Sequence, residues 1–187
     1  MVRRPNGYPR ELERSVTLAD GRTVKVRPVV PGDANALVHA IRTADAATLR
    51  ARFLGGAPPT HRRAIRHLVE VDYVNRLALV AFGEGRGVAI ARFEPLPDQP
   101  GTVEVAVAVD PAWRRVGLAT ALIRLLAEGA SVRGITEFTA TYFAHNVDVA
   151  SIIADTGLAH APLTRSGVVD DAVTLPSPAD SAVGAAR

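Results

Sequence analysis

Apolar positions change their spacing along the chain, and each spacing predicts a different element. Residues 23–30 (TVKVRPVV) alternate β-branched and polar side chains and follow the turn signal Asp20-Gly21, which predicts a hairpin. Residues 33–70 then show helical spacing in three segments, the first with Asp33 as its predicted cap. The third helical segment, THRRAIRHLVEV, is apolar on one side and rich in arginine on the other.

Strand patterns dominate after Asn75. Two apolar runs flank the glycine-rich residues 83–87 and predict a second hairpin, and GTVEVAVAVD predicts the next strand. The helix VGLATALIRLLAEGA, the strand ITEFTATYF, the helix NVDVASIIADTGL and the short strand VVDDAVTL follow. This order predicts an α/β protein with a mixed sheet in a single domain over residues 15–176. Residues 1–14 form a predicted N-terminal extension, and residues 177–187 have the Ala, Ser and Pro content of a disordered tail.

Composition narrows the class of protein. Hydrophobic residues make up 48% and charged residues 22% of the 187, as in ordinary globular proteins. No apolar run approaches the roughly 20 residues that span a bilayer, the N-terminus lacks a secretory signal, and cysteine is absent. We therefore expect a cytoplasmic protein with no membrane partner. Its oligomeric state, monomer or homodimer, stays open.

The positive charge is nearly all arginine, since Lys25 is the sole lysine. The planar arginine fork suits phosphate oxygens, although genome composition explains the bias equally well. No long basic stripe with interleaved aromatic residues is present, so we expect no nucleic-acid partner. Five scattered histidines, with no HExxH motif, indicate no metal site, and phosphate-binding P-loop and serine hydrolase motifs are absent.

The segment VEVAVAVDPAWRRVGLATALIRLL, residues 103–126, carries the chemistry. Strand alternation places four valines on one face and Glu104, Ala106 and Ala108 on the other. The small-residue face leaves room for a ligand beside a carboxylate, whereas alternation alone favours a solvated charge on a half-exposed strand as the explanation of Glu104. Residues 115–120 turn into a helix whose first N–H groups favour an anion, and Gly117 either opens this turn or eases packing.

Four stretches of sequence carry a resemblance to a known family. VDPAWRRVGLATALI resembles the acetyl-coenzyme A signature [Q/R]-x-x-G-x-[G/A] of the GNAT superfamily of N-acetyltransferases, with Arg114, Gly117 and Ala119 in place. HNVDVASIIADTGL is similar to a later helix of that family, with Asn146 and Gly157 in place. Two upstream segments, residues 8–34 (YPRELERSVTLADGRTVKVRPVVPGDA) and 71–82 (VDYVNRLALVAF), resemble the acetyltransferase domain of bacterial protein-lysine acetyltransferases. The resemblance implies the GNAT fold: a mostly antiparallel mixed sheet, helices on both faces and a splayed strand pair that binds acetyl-CoA.

The same resemblance implies the roles of individual residues. Acetyl-CoA is the co-substrate, no metal is required, and an acyl transfer runs directly from the thioester to an amine, with Glu104 as the general base. The favoured acceptor is a protein lysine; the alternatives are a small amine or an aminoglycoside, or a catalytically silent acetyl-CoA sensor. The implied cofactor-binding residues are Val107, Ala108, Val109, Arg114, Arg115, Val116, Gly117, Leu118, Ala119, Thr120 and Asn146.

One departure from the family pattern concerns the group that protonates the leaving thiolate. Small-amine enzymes of this family carry a tyrosine seven residues after the asparagine, where it protonates the leaving thiolate, and here that position is Ile153. Tyr142 and His145 are nearby alternatives, as is water. Acceptor pockets in the family are built from the segment corresponding to residues 33–70, where the arginines either attract an acidic partner or are simply solvated.

Overall fold

A computed structural model describes residues 4–56, 58 and 61–176 of the chain. Its centre is one sheet with the strand order β1-β2-β3-β4-β5-β6-β8-β7. The strands are β1 (Arg14–Thr17), β2 (Thr23–Pro28), β3 (Leu77–Gly83), β4 (Arg86–Pro95), β5 (Thr102–Val109), β6 (Glu137–Phe143), β7 (His160–Arg165) and β8 (Val168–Thr174). The α-helices are α1 (Ala34–Thr43), α2 (Ala46–Arg52), α3 (Arg62–Val69), α4 (Leu118–Ser131) and α5 (Val147–Thr156). Short 3-10 helices cover Arg10–Leu12, Pro31–Asp33 and Pro111–Trp113.

The sheet is antiparallel except where β5 meets β6. These two strands run parallel and pair only where residues 102–104 lie beside residues 137–139. Beyond Glu104, β5 stays paired with β4 through Val109, while β6 stays paired with β8 on its other edge. The second half of β5 therefore separates from β6, and a wedge opens in the middle of the sheet.

The core lies between the valine face of β5 and the apolar face of α4. Leu118, Leu122 and Leu126 of α4 are almost fully buried, and they share one cluster with Phe93 and Phe138, whose ring centroids lie 6.1 Å apart. Shortening a leucine in such a position to alanine typically costs about 2–5 kcal/mol of stability. The packing of α4 thus fixes where its first turn meets the end of β5.

The α/β class and the splayed strand pair are confirmed, with three differences of detail. The sequence pattern did not reveal β7, because this edge strand is exposed at every position and carries Pro162, so it shows no alternation. Asp33 precedes α1 but does not cap it: its carboxylate accepts the N–H of Val30 at 2.9 Å and pairs with Arg27 at 2.7 Å. Leu12, in the predicted extension, is 3% exposed and packs in the core. The predicted tail, residues 177–187, lies outside the described residues.

A helix that spans a bilayer needs about 20 mostly apolar residues. In the described part of the chain, no helix has both the length and the apolar character needed to cross a membrane.

Candidate active site

The wedge between β5 and β6 widens into a cleft of about 810 Å³. This volume is in the range of sites that enclose a small organic ligand. The helix α2, the strands β5 and β6, the first turns of α4 and most of α5 form its walls. The structure brings every predicted site residue except Val116 to this cleft. Those lining it are Glu104, Val107, Ala108, Val109, Arg114, Arg115, Gly117, Leu118, Ala119, Thr120 and Asn146.

Val116 lies just behind the wall of the cleft. Its side chain packs against the core, and its carbonyl accepts the N–H of Ala19 at 3.1 Å. The residue therefore joins the turn before α4 to the first hairpin. Only its N–H group is left for the cofactor role that the resemblance implies.

The turn between β5 and α4 presents backbone N–H groups to the cleft. Arg115 (φ 59°) and Gly117 (φ 84°) both adopt the left-handed conformation, which folds the chain tightly before Leu118 begins the helix. Within the described part of the chain, none of the N–H groups of residues 115–120 donates a hydrogen bond. Such unpaired groups, at the positive end of a 14-residue helix, are suited to a diphosphate.

Gly117 is required for its conformation rather than for space. A Cβ atom built at this position would meet no atom within 4 Å, so a side chain would fit, but its positive φ disfavours any residue with a Cβ. Of the two explanations given by the sequence, eased packing is therefore wrong. The glycine permits the turn that exposes the N–H groups.

Arg114 links the end of β5 to α2. Its Nε donates to the carbonyl oxygen of Val109 at 3.1 Å, and its Nη2 donates to Oγ1 of Thr48 at 2.5 Å, with Oδ2 of Asp45 at 3.8 Å. Asp45 also caps α2 by accepting the N–H of Thr48 at 2.8 Å. The side chain of Arg114 thus holds α2 against the cleft.

Asn146 stands at the opposite wall, at the N-cap position of α5. Its backbone N–H donates to the carbonyl of Phe143 at 2.8 Å, while its side-chain amide has no hydrogen-bond partner among the described residues. An amide with both a free donor and a free acceptor, facing the cleft, is suited to bind an amide-containing arm.

Glu104 lies on the small-residue face of β5 where the strands begin to part. It is exposed, and it makes no hydrogen bond or ion pair with any described residue. Its register partners are Glu94 on β4 and Thr139 on β6. A carboxylate with free lone pairs at the wall of a cleft is able to accept a proton from a bound ligand.

The facing carboxylate, Glu94, was missed by the sequence reasoning and has several partners. Its Oε2 lies 2.9 Å from Nε of Arg76 and 3.4 Å from Nε2 of His67, and its Oε1 accepts a hydrogen bond from Arg92. Arg92 is only 5% exposed, and burial lowers the pKa of its guanidinium, an effect that the charge of Glu94 opposes. Both arginines also contact the last carbonyls of α3, so this cluster fastens that helix to the sheet.

The candidates for protonating a leaving thiolate occupy different environments. Ile153, at the family's tyrosine position, is buried and has no proton to give. Tyr142 lines the cleft, but its hydroxyl donates a hydrogen bond to Asp171 at 3.1 Å. Burial, together with Asp171, raises the pKa of Tyr142 to about 12. His145 stacks on Phe143 at 5.3 Å and is exposed. Of Tyr142 and His145, only His145 has a side chain that is open to solvent.

In the described part of the chain, no three His, Asp or Glu side chains come together as a metal site would require.

Comparison with known proteins gives consistent matches. The model of the acetyltransferase (GNAT) family matches residues 46–151. Acetyltransferase PA5475 of Pseudomonas aeruginosa is 30% identical over 125 residues, which are 65% of this chain and 67% of that protein. Acetyltransferase Pat of Mycolicibacterium smegmatis is 28% identical over 140 residues, 74% of this chain but 42% of Pat, so the chain spans less than half of that relative. The crystal structure of the GNAT domain of S. lividans PAT superposes with a TM-score of 0.81 at 28% identity, covering 90% of this chain and 99% of that domain.

Proposed function

The chain belongs to the acetyltransferase (GNAT) family, whose members use acetyl-CoA, and we propose that it transfers the acetyl group to the Nε amine of a lysine in another protein. The observation that carries the proposal is the position of Glu104: a carboxylate free of partners among the described residues, on the wall of the cleft where β5 and β6 part. The resemblance to two proteins named Pat supports a protein acceptor.

The cleft fits the parts of acetyl-CoA. The unpaired N–H groups of residues 115–120 would hold the diphosphate. Beyond Glu104, the edge of β5 that faces β6 has no strand partner, which leaves its backbone groups for the amides of the pantetheine arm. Asn146 would contact that arm from the opposite wall. When bound, acetyl-CoA supplies an activated acetyl group.

Glu104 would serve as the base. A lysine amine has an ordinary pKa near 10.4 and is almost fully protonated at neutral pH, so it must lose a proton before it can attack. In the proposed step Glu104 takes that proton, the nitrogen forms a bond to the acetyl carbonyl carbon, and the carbon–sulfur bond breaks. The sulfur leaves as a thiolate, which then takes a proton from solvent or from His145. No covalent bond to the protein forms.

The variant Glu104→Gln tests this assignment. It keeps the size of the side chain but is not basic, so we expect kcat for acetyl transfer to fall by about 10²- to 10⁴-fold. The dissociation constant for acetyl-CoA, measured by calorimetry, should stay near the wild-type value. Equal turnover of variant and wild type across about pH 6 to 9 contradicts the role of Glu104 as the base.

The acceptor class is tested separately by offering lysine peptides and free small amines with labelled acetyl-CoA. A low KM for a free amine, with no labelled peptide, favours a small-amine enzyme. Binding of acetyl-CoA without transfer to any acceptor favours the silent sensor.

A further inference from the structure

Arg52 is a cation within the cleft that the reaction above does not use. It is the last residue of α2, it lines the cleft together with Glu104, and its side chain is half-buried. It makes no hydrogen bond or ion pair with the described residues; its guanidinium lies 5.1 Å from the ring centroid of Phe53. Burial lowers the pKa of Arg52, and the charges of Glu104 and Glu94 oppose that shift without cancelling it. Its hydrogen-bond donors are therefore available to a ligand.

The neighbouring carboxylates do not satisfy Arg52. Glu94 is already paired with Arg76 and Arg92. The charge of Glu104 acts to raise the pKa of Arg52 against the effect of burial, but the two side chains do not form an ion pair. In the proposed reaction Glu104 gains a proton and loses this charge, which leaves the half-buried Arg52 without a free counter-charge among the residues that the structure describes. A buried guanidinium in this state is costly unless the ligand brings an anion.

We propose that Arg52 binds a carboxylate of the acceptor, so that the enzyme prefers a lysine with an aspartate or glutamate close to it in the acceptor protein. This inference rests on the proposed lysine acetylation. The planar fork of arginine matches the two oxygens of a carboxylate and binds them with parallel hydrogen bonds. A carboxylate is favoured over a phosphate because Glu104 also lines the cleft, and before it takes up a proton its negative charge repels a doubly charged group more strongly than a singly charged one. The diphosphate of acetyl-CoA has its own place at the first turn of α4.

The test compares short peptides that carry one lysine flanked by glutamate, by glutamine or by arginine. Wild-type enzyme should acetylate the glutamate peptide with a kcat/KM about tenfold above that of the glutamine peptide. In Arg52→Gln the preference should vanish, through a higher KM for the glutamate peptide alone. Arg52→Lys, which keeps the charge but not the fork, should retain part of it. Arg42→Gln on α1 removes an equal charge outside the cleft and should leave the preference unchanged.

Each other outcome overturns the inference. Equal acetylation of the glutamate and glutamine peptides by wild type, or an equal loss for both in Arg52→Gln, removes the carboxylate role and leaves lysine acetylation standing. Faster acetylation of free glutamate than of any peptide assigns the carboxylate to a small amino acid. No acetylation of any peptide defeats the lysine proposal itself. Thermal unfolding of the variants shows whether each is folded.

Discussion

Glu94 and Glu104 lie directly opposite each other on neighbouring strands, on the same face of the sheet, and yet have opposite surroundings. Glu94 contacts two arginines and a histidine and holds α3 in place. Glu104 contacts no cation within ion-pair distance among the described residues and lines the cleft. Two side chains of the same type, in register, therefore differ in their partners: Glu94 contributes to the fold, whereas Glu104 is the base that we propose.

The largest effect on stability should follow from removing the charge of Glu94. Glu94→Gln leaves buried Arg92 without its carboxylate, so we expect the free energy of unfolding to fall by about 2–3 kcal/mol. Glu104→Gln should change it by less than about 0.5 kcal/mol, because the side chain is exposed and has no partner to lose. Urea unfolding of both variants measures the contrast, and similar losses in the two would contradict it.

A smaller effect on stability should distinguish the binding of acetyl-CoA from proton transfer by Glu104. Gly117→Ala places a side chain at φ 84°, which costs roughly 1 kcal/mol and disturbs the N–H groups before α4. We expect weaker binding of acetyl-CoA, by several-fold to about tenfold, with little change in kcat at saturation.

Gly134→Ala is the matched control for that variant. Gly134 has φ 76°, and a Cβ atom built there would also meet no atom within 4 Å, but this glycine lies outside the cleft. The control should lose similar stability and bind acetyl-CoA normally. Calorimetry of both variants decides, and equal weakening of cofactor binding would show that strain alone is responsible.

The smallest effect should come from Asp45, an exposed carboxylate that also pairs with an arginine. Hydrogen bonds from the hydroxyl and the N–H of Thr48 lower the pKa of Asp45. The stability that it contributes is therefore complete above its ordinary pKa of about 4 and is lost as pH falls through the lowered value. Thermal unfolding should show wild type slightly above Asp45→Asn at about pH 6, with the difference gone at about pH 2. A difference that persists in acid would mean that the charge of Asp45 is not responsible.

Much of the fold and part of the site follow from local sequence patterns. The alternation of β5 and the turn into α4 each involve a few consecutive residues, so the cleft-facing positions of Glu104 and residues 117–120 were predictable. The partners of Glu94 were not, because Arg76 lies 18 residues away and comes near only when β3 pairs with β4. One contact of Glu94 was predictable: Arg92 and Glu94 are two positions apart in a predicted strand, so they lie on the same face.

Contacts between residues far apart in the sequence could not be predicted from local sequence patterns. Arg114 was assigned to the cofactor from its place in the signature, whereas its side chain contacts Thr48, 66 residues away. Arg52 belonged to a segment whose arginines, by sequence alone, either attract an acidic partner or are solvated. The packing of α2 over β5 makes Arg52 half-buried while its neighbouring arginines stay exposed, and this packing is not visible in the sequence.

The short helix α2 joins the two ends of the cleft. At its start, Asp45 and Thr48 are tied to Arg114 beside the predicted diphosphate site, and at its end Arg52 lies near Glu104. A ligand that draws Arg114 away from these two residues removes one of the contacts that hold the helix carrying Arg52. By thermodynamic linkage, an acceptor that fixes Arg52 then changes the affinity for acetyl-CoA by the same factor by which acetyl-CoA changes the affinity for that acceptor. Seven residues would thus make the two substrates of the enzyme sensitive to each other.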